Sequence, residues 1–142
     1  MNDQPLPTWF WVVAVLAVLW NVMGAFAYYS DVTMSPEALV GLPQAQQDLR
    51  AAMPSWVTGL YAIAVFGGLA AAITLCLKNK LAIPLFAVSL AAVVIQMLYV
   101  SFGLNAVGLM GTSTLLFPAV TILLGALQLW FSMHAKGRGW IA

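Results

Sequence analysis

Four apolar runs separated by short polar stretches divide the chain almost from end to end. They cover Trp9 to Tyr29, Ser55 to Leu77, Leu81 to about Phe102, and about Thr114 to Met133. Each is close to the ~20 residues a helix needs to cross a hydrocarbon layer about 30 Å thick. The pattern predicts an all-α membrane protein, a four-transmembrane-helix bundle forming a single domain over residues 1–142. Pro5 and Pro7 mark an irregular start, and Lys78-Asn79-Lys80 makes a tight turn between the second and third helices. Pro118 falls in the first turn of the fourth, where a missing N–H breaks few helical bonds. His134, Lys136 and Arg138 end that helix. Ala25-Phe26-Ala27 has the small-x-small form of a leader cleavage site. Asp3 with no preceding Lys or Arg, and Trp9, Trp11, Trp20 and Asn21 in the run, fit a retained span better.

The Ser30 to Pro54 connection is the one sizeable polar segment and holds Asp31, Glu37, Asp48 and Arg50. Ser35-Pro36-Glu37 has the form of an N-cap, a proline at the first helical position and an acid in the first turn. Pro43 to Met53 is also compatible with a helix. Two short helices lying over the mouth of the bundle, as a cap between helices 1 and 2, are therefore expected.

Small and polar residues recur at steps of three and four, which places them on one face of each helix. The stripes are Ala14, Ala17, Asn21, Gly24 and Tyr28; Tyr61, Ala64, Gly68 and Ala71; Ser89, Ala92, Gln96, Tyr99 and Gly103; and Pro118, Thr121, Gly125, Gln128 and Ser132. Lipid is as apolar as leucine, so membrane helices associate through close approach at small residues and through side-chain hydrogen bonds. Gly24, Gly68 and Gly125 are accordingly expected at helix contacts, with the large aliphatics facing lipid. Trp9, Trp11, Trp56 and Trp140 lie near segment ends, where amphipathic rings favour the headgroup region.

At 1.5 Å per residue, Asn21 lies about 18 Å and Gln96 about 22 Å from the basic end of the bundle, with Tyr61 at a similar level. Gln128 falls at about 10 Å, which leaves it outside that group. Asn21, Gln96 and Gln128 read first as structural glue, since amides often hydrogen-bond across membrane helices. The functional reading is that Asn21, Tyr61, Gln96 and Tyr99 line a small polar cavity that hydrogen-bonds a neutral polyol or similar solute.

Composition narrows the chemistry. Of 142 residues, 63% are hydrophobic and 6% charged, and the net charge is +1. No basic run is long enough to follow a phosphate backbone, so nucleic acid is not an expected partner. No Asp, Glu, Lys, Arg or His falls within a predicted span, which disfavours proton-driven antiport relying on a membrane-embedded glutamate. No nucleophile–base pair, metal-ligand spacing or glycine-rich phosphate loop is present, so neither enzymatic activity nor a cofactor or metal is expected. His134 reads as a partner of the helix dipole or of lipid phosphates. Cys76, the single cysteine, reads as a small apolar filler. Pro43-Gln44 lies in the polar connection and not in a span, unlike the pair in PQ-loop carriers. The first and third helices share an alanine-valine-rich run followed by an amide, AVLAVLWNVMG and AVSLAAVVIQM, a weak internal parallel.

Lys78, Lys80, Lys136 and Arg138 lie on the side of the second connection and the C-terminus, against Arg50 alone on the other. The positive-inside rule then puts both termini in the cytoplasm and the cap outside.

Through WFWVVAVLAVLWNVMG, MSPEAL, AVFGG and the PLF…IQMLY pattern, the chain resembles, over nearly its whole length, a family of small bacterial four-helix membrane proteins often named sugar transporters. The resemblance implies a bacterial cytoplasmic (inner) membrane and transport of a sugar-like solute. Two function classes follow: a carrier of a small neutral solute, or an accessory or assembly protein that binds another membrane protein. A homo-oligomer is compatible with either, since four helices enclose little space.

Overall fold

The computed structural model describes residues 6–142, so Asp3 and Pro5 of the predicted leader region lie outside the described residues. The described chain forms seven α-helices. Four of its helical segments are long and apolar enough to cross a membrane. Helix α1 spans Thr8–Val32, and two short helices follow, α2 (Pro36–Val40) and α3 (Gln44–Ala52). Helix α4 spans Ser55–Cys76 and α5 spans Ala82–Leu98, continued by a π-helical turn at Tyr99–Gly103. A short helix α6 (Ala106–Met110) and a 3-10 turn (Thr112–Leu115) lead into α7 (Leu116–Gly137). Spans and cap thus follow the sequence pattern. Helix α6, in the third connection, is an element that the pattern did not announce.

The cap forms for the reasons its sequence suggests. Ser35 Oγ accepts a hydrogen bond from the Ala38 N–H at 3.2 Å, and Pro36 follows it in the first turn. Gln47 Nε2 donates to Leu42 O (2.8 Å) and Val40 O (3.2 Å), which ties α3 to the end of α2.

Packing is close where both partners offer small residues. Helix α1 buries Ala14, Ala17 and Asn21, and α4 buries Ala64, Gly68, Ala71 and Ala72. Ser89 of α5 donates to the backbone carbonyl of Ala64, a direct bond between α5 and α4. Large side chains such as Leu16, Phe26, Phe66 and Leu123 point outward. The helices pack in the sequence α1, α4, α5, α7, whereas α1 and α7 do not pack along their length. The bundle is therefore a horseshoe whose open side lies between its first and last spans.

The end of the horseshoe opposite the cap is closed by aromatics. Phe10 and Phe131 are buried with Trp140, and the Trp9 ring lies 5.4 Å from Phe131 and 5.0 Å from Trp140. Expected in the headgroup region, Trp140 is instead only 9% exposed. The chain after α7 turns back at Gly139 (φ +78°), and Ala142 exchanges backbone hydrogen bonds with Lys78 and Lys80, each 3.1 Å. A left-handed φ favours glycine, and this reversal carries Trp140 and Ile141 under the bundle. The same pairing gathers Lys78, Lys80, Lys136 and Arg138 at one end.

Candidate functional site

A cavity of about 670 Å³ lies under the cap and reaches down to Phe86, Ser89 and Gln128. Its back wall comes from α4 and α5, its sides from α1 and α7, and its roof from α3 and α6, which meet over it. This volume lies within the ~300–1,000 Å³ of small-molecule sites.

The floor is an amide pair. Asn21 Nδ2 donates to Gln128 Oε1 at 2.9 Å and to Ala17 O at 2.7 Å, and Gln128 Nε2 donates to Leu124 O at 3.1 Å. Gln128, expected outside the group from its level, belongs to it for two physical reasons. Helix α7 continues to Gly137 and not to Met133, which raises Gln128 by about 6 Å relative to its helix end. Side chains also lean toward their own helix N-terminus, so on these antiparallel helices Asn21 reaches toward the basic end and Gln128 toward the cap. Asn21 is only 9% exposed and also lies against Gly68, so it is a structural amide.

Gln96 behaves differently. It lines the cavity and is half-buried, and its side chain makes no hydrogen bond among the described residues. Thr58 and Ser101 also line the cavity without a side-chain hydrogen bond among the described residues. Thr58 sits in the first turn of α4 and Ser101 in the π-helical turn, so the three donors and acceptors gather toward the cap. Below them Val65, Leu90 and Val93 alternate with polar groups that are already hydrogen-bonded within the protein, Ser89, Thr121 and the Asn21–Gln128 pair.

Tyr61 lines the cavity as expected, but its hydroxyl is engaged: it donates to Asp31 Oδ2 at 3.1 Å. Asp31 Oδ1 pairs with Arg50 Nη2 at 3.1 Å, and both of these side chains are about one-third exposed. Asp31 and Arg50, expected in the aqueous connection, both line the cavity. A signal for Asp31 was present, because 14, 17, 21, 24, 28 and 31 continue one stripe. Arg50 lies on a face of α3 with Gln46 and Leu49, spaced as the lining face of a helix, and Met53 just after the helix joins them.

Tyr99 does not join the group. It is absent from the cavity wall; its ring stands edge-on to Trp56 at 4.6 Å and covers Gly103. Tyr99 still bonds to Ile95 O in the regular helical manner, and it stands about 60° round the helix from Gln96, on the side away from the lining residues Val93, Met97 and Val100.

The three packing glycines divide. A Cβ on Gly68 would clash with Asn21 Oδ1 and come within 3.1 Å of Ser89 Oγ. On Gly125 it would come within 3.1 Å of Leu90 Cδ1, whereas on Gly24 it would meet Val65 at an ordinary 3.8 Å. Gly68 is the tight approach of the bundle.

Fold and site together define a multi-pass helical membrane protein with a capped internal cavity. Compared with family models, curated proteins and solved structures, the chain matches none.

Proposed function

We propose that the protein is a membrane carrier for a small neutral solute, bound in the capped cavity. The observation that carries this reading is Gln96. An amide kept only as glue finds a partner across the helices, as Asn21 and Gln128 do, because an unpaired amide in an apolar setting costs free energy. Gln96 instead presents its donor and acceptor to a cavity of ligand size, beside Thr58 and Ser101. The Asp31–Arg50 pair is neutral overall, so the site offers hydrogen bonds and no net charge. That chemistry suits an uncharged hydroxylated solute, the class to which the sugars implied by the family resemblance belong.

In this reading the protein sits in a bacterial inner membrane with both termini and the Lys78 turn cytoplasmic and the cap outside. The clustering of four basic residues at one end supports that orientation. The test is flux of radiolabelled sugars and polyols, or a fluorescence-monitored lipophilic substrate, into liposomes holding the purified protein. Saturable flux lost in Gln96→Leu supports the carrier. Binding without flux, or no response to any solute, favours an accessory protein instead.

A further inference from the structure

The cavity is closed above and below and open at one side. Helices α3 and α6 meet over it. The Asn21–Gln128 bond and the aromatic cluster lie beneath it. Its open side is the gap between α1 and α7, where the lining residues Met23 and Phe117 are 62% and 65% exposed. Both belong to spans, so in a bilayer these lips face lipid and not water.

The polarity of the lining runs the same way as that of a leaflet. Gln96 lies seven residues before Gly103 and Tyr61 six after Ser55, about 9–11 Å below the cap end of their helices. Thr58 and Ser101 lie closer still to that end. At the deeper end the polar groups Ser89, Thr121, Asn21 and Gln128 are already hydrogen-bonded within the protein, and Val65, Leu90 and Val93 stand among them. A molecule lying in the adjacent leaflet carries its polar head at the cap level and its tail toward the midplane.

We propose that the ligand is a single-chain amphiphile with an uncharged, hydroxylated head, taken sideways from the bilayer through the gap between α1 and α7. This rests on the carrier reading for the identity of the site and narrows its substrate class. The head hydrogen-bonds Gln96, Thr58 and Ser101, and the tail lies along Leu90 and Val93 and leaves between Met23 and Phe117. Among the described residues the charged side chains of the lining are Asp31 and Arg50, which pair with each other, so an ionic head meets no unpaired counter-charge there.

The experiment uses the full chain in nanodiscs and a monoacylglycerol with a diazirine in its tail, cross-linked by light and mapped by mass spectrometry. Labels are expected on α1, α5 and α7 residues around the cavity. Unlabelled monoacylglycerol should compete, whereas glucose and a fatty acid should not. Gln96→Leu should lower cavity labelling at least tenfold. Thr121→Trp, which fills the cavity from α7, should abolish it, with unchanged unfolding in detergent showing that the bundle remains intact. Labelling that is spread over the lipid-facing surface and indifferent to Thr121→Trp overturns the proposal, as does competition by a fatty acid at equal potency. Sugar flux with no amphiphile labelling also overturns it while sparing the carrier. Specific labelling without flux of any solute keeps this site and removes the carrier.

Discussion

A methyl group added at Gly68 has nowhere to go. An alanine Cβ there would overlap Asn21 Oδ1, sit 3.3 Å from Asn21 Cγ and lie 3.1 Å from Ser89 Oγ. Asn21 is not a free end that swings aside, because its Nδ2 is held by Ala17 O and Gln128 Oε1. Ser89 is likewise held, by its bond to Ala64 O. Either the Asn21 amide rotates and its cross-helix bond is lost, or α1 moves off α4. Overpacking of this kind costs about 1–3 kcal/mol, and an interhelical hydrogen bond in a membrane adds about 0.6–2 kcal/mol. The better helix propensity of alanine returns about 1 kcal/mol. Gly68→Ala should therefore destabilise the protein by about 0.6–4 kcal/mol.

The adjacent glycine supplies the control. A Cβ on Gly67 would meet Ser89 Cβ at an ordinary 3.7 Å, so Gly67→Ala keeps the propensity gain without the clash and should be neutral or slightly stabilising. Ala70→Leu, at an exposed position, should also be near neutral, whereas Gly68→Leu should cost more than Gly68→Ala. The assay is reversible unfolding in mixed micelles of mild detergent and dodecyl sulfate. Equal unfolding free energies for Gly67→Ala and Gly68→Ala would refute the packing of α1 on α4 through Asn21.

Three further outcomes are expected. A double-mutant cycle between Asn21→Leu and Gln128→Leu should give coupling of about 0.6–2 kcal/mol, while a cycle between Asn21→Leu and Gln96→Leu should give none; the reverse pattern would exchange the structural and ligand-binding amides. Trp140→Ala should lose about 3 kcal/mol in the same unfolding assay, because it removes a buried aromatic from between Trp9 and Phe10; a loss below 1 kcal/mol would place the ring at the surface. On a Cys76→Ala background, Glu37→Cys should react with an impermeant maleimide from outside the cell, and modification only from the cytoplasmic side would invert the topology.

The spans, the stripes and the cap were legible because each depends on local pattern. Twenty apolar residues, a Ser-Pro-Glu start or a small residue every third or fourth position means much the same in any context. What escaped the sequence depended on where helices end and how they meet. Gln96 sits at one edge of the lining face of its helix, so Tyr99, about 60° further round, falls outside the cavity although it shares the stripe. Helix α1 runs to Val32, one turn past the expected end, and so converts Asp31 from a loop acid into part of the cavity wall. Gln128 was misplaced by a helix four residues longer than its apolar run, since Lys136 sits beyond the hydrophobic core yet remains helical.

The stripe logic also explains why the horseshoe stays open. Between α1 and α4, alanines and Gly68 face each other with Asn21, and backbones approach closely. Between α5 and α7, Gly125 receives Leu90, which again allows approach. Between α1 and α7 the facing residues at the basic end are Trp9, Phe10 and Phe131, all large. Rings fill that interface and hold the helix axes apart. Toward the cap, α7 turns Pro118, Thr121 and Gly125 to the gap, side chains too short to reach α1 once the axes are separated. Asn21 and Gln128, two amides leaning toward each other, span it with a hydrogen bond. The aromatic cluster at one end is thus the cause of the cavity at the other. Smaller residues at Phe10 and Phe131 together would let α1 and α7 close and reduce the space beside Gln96.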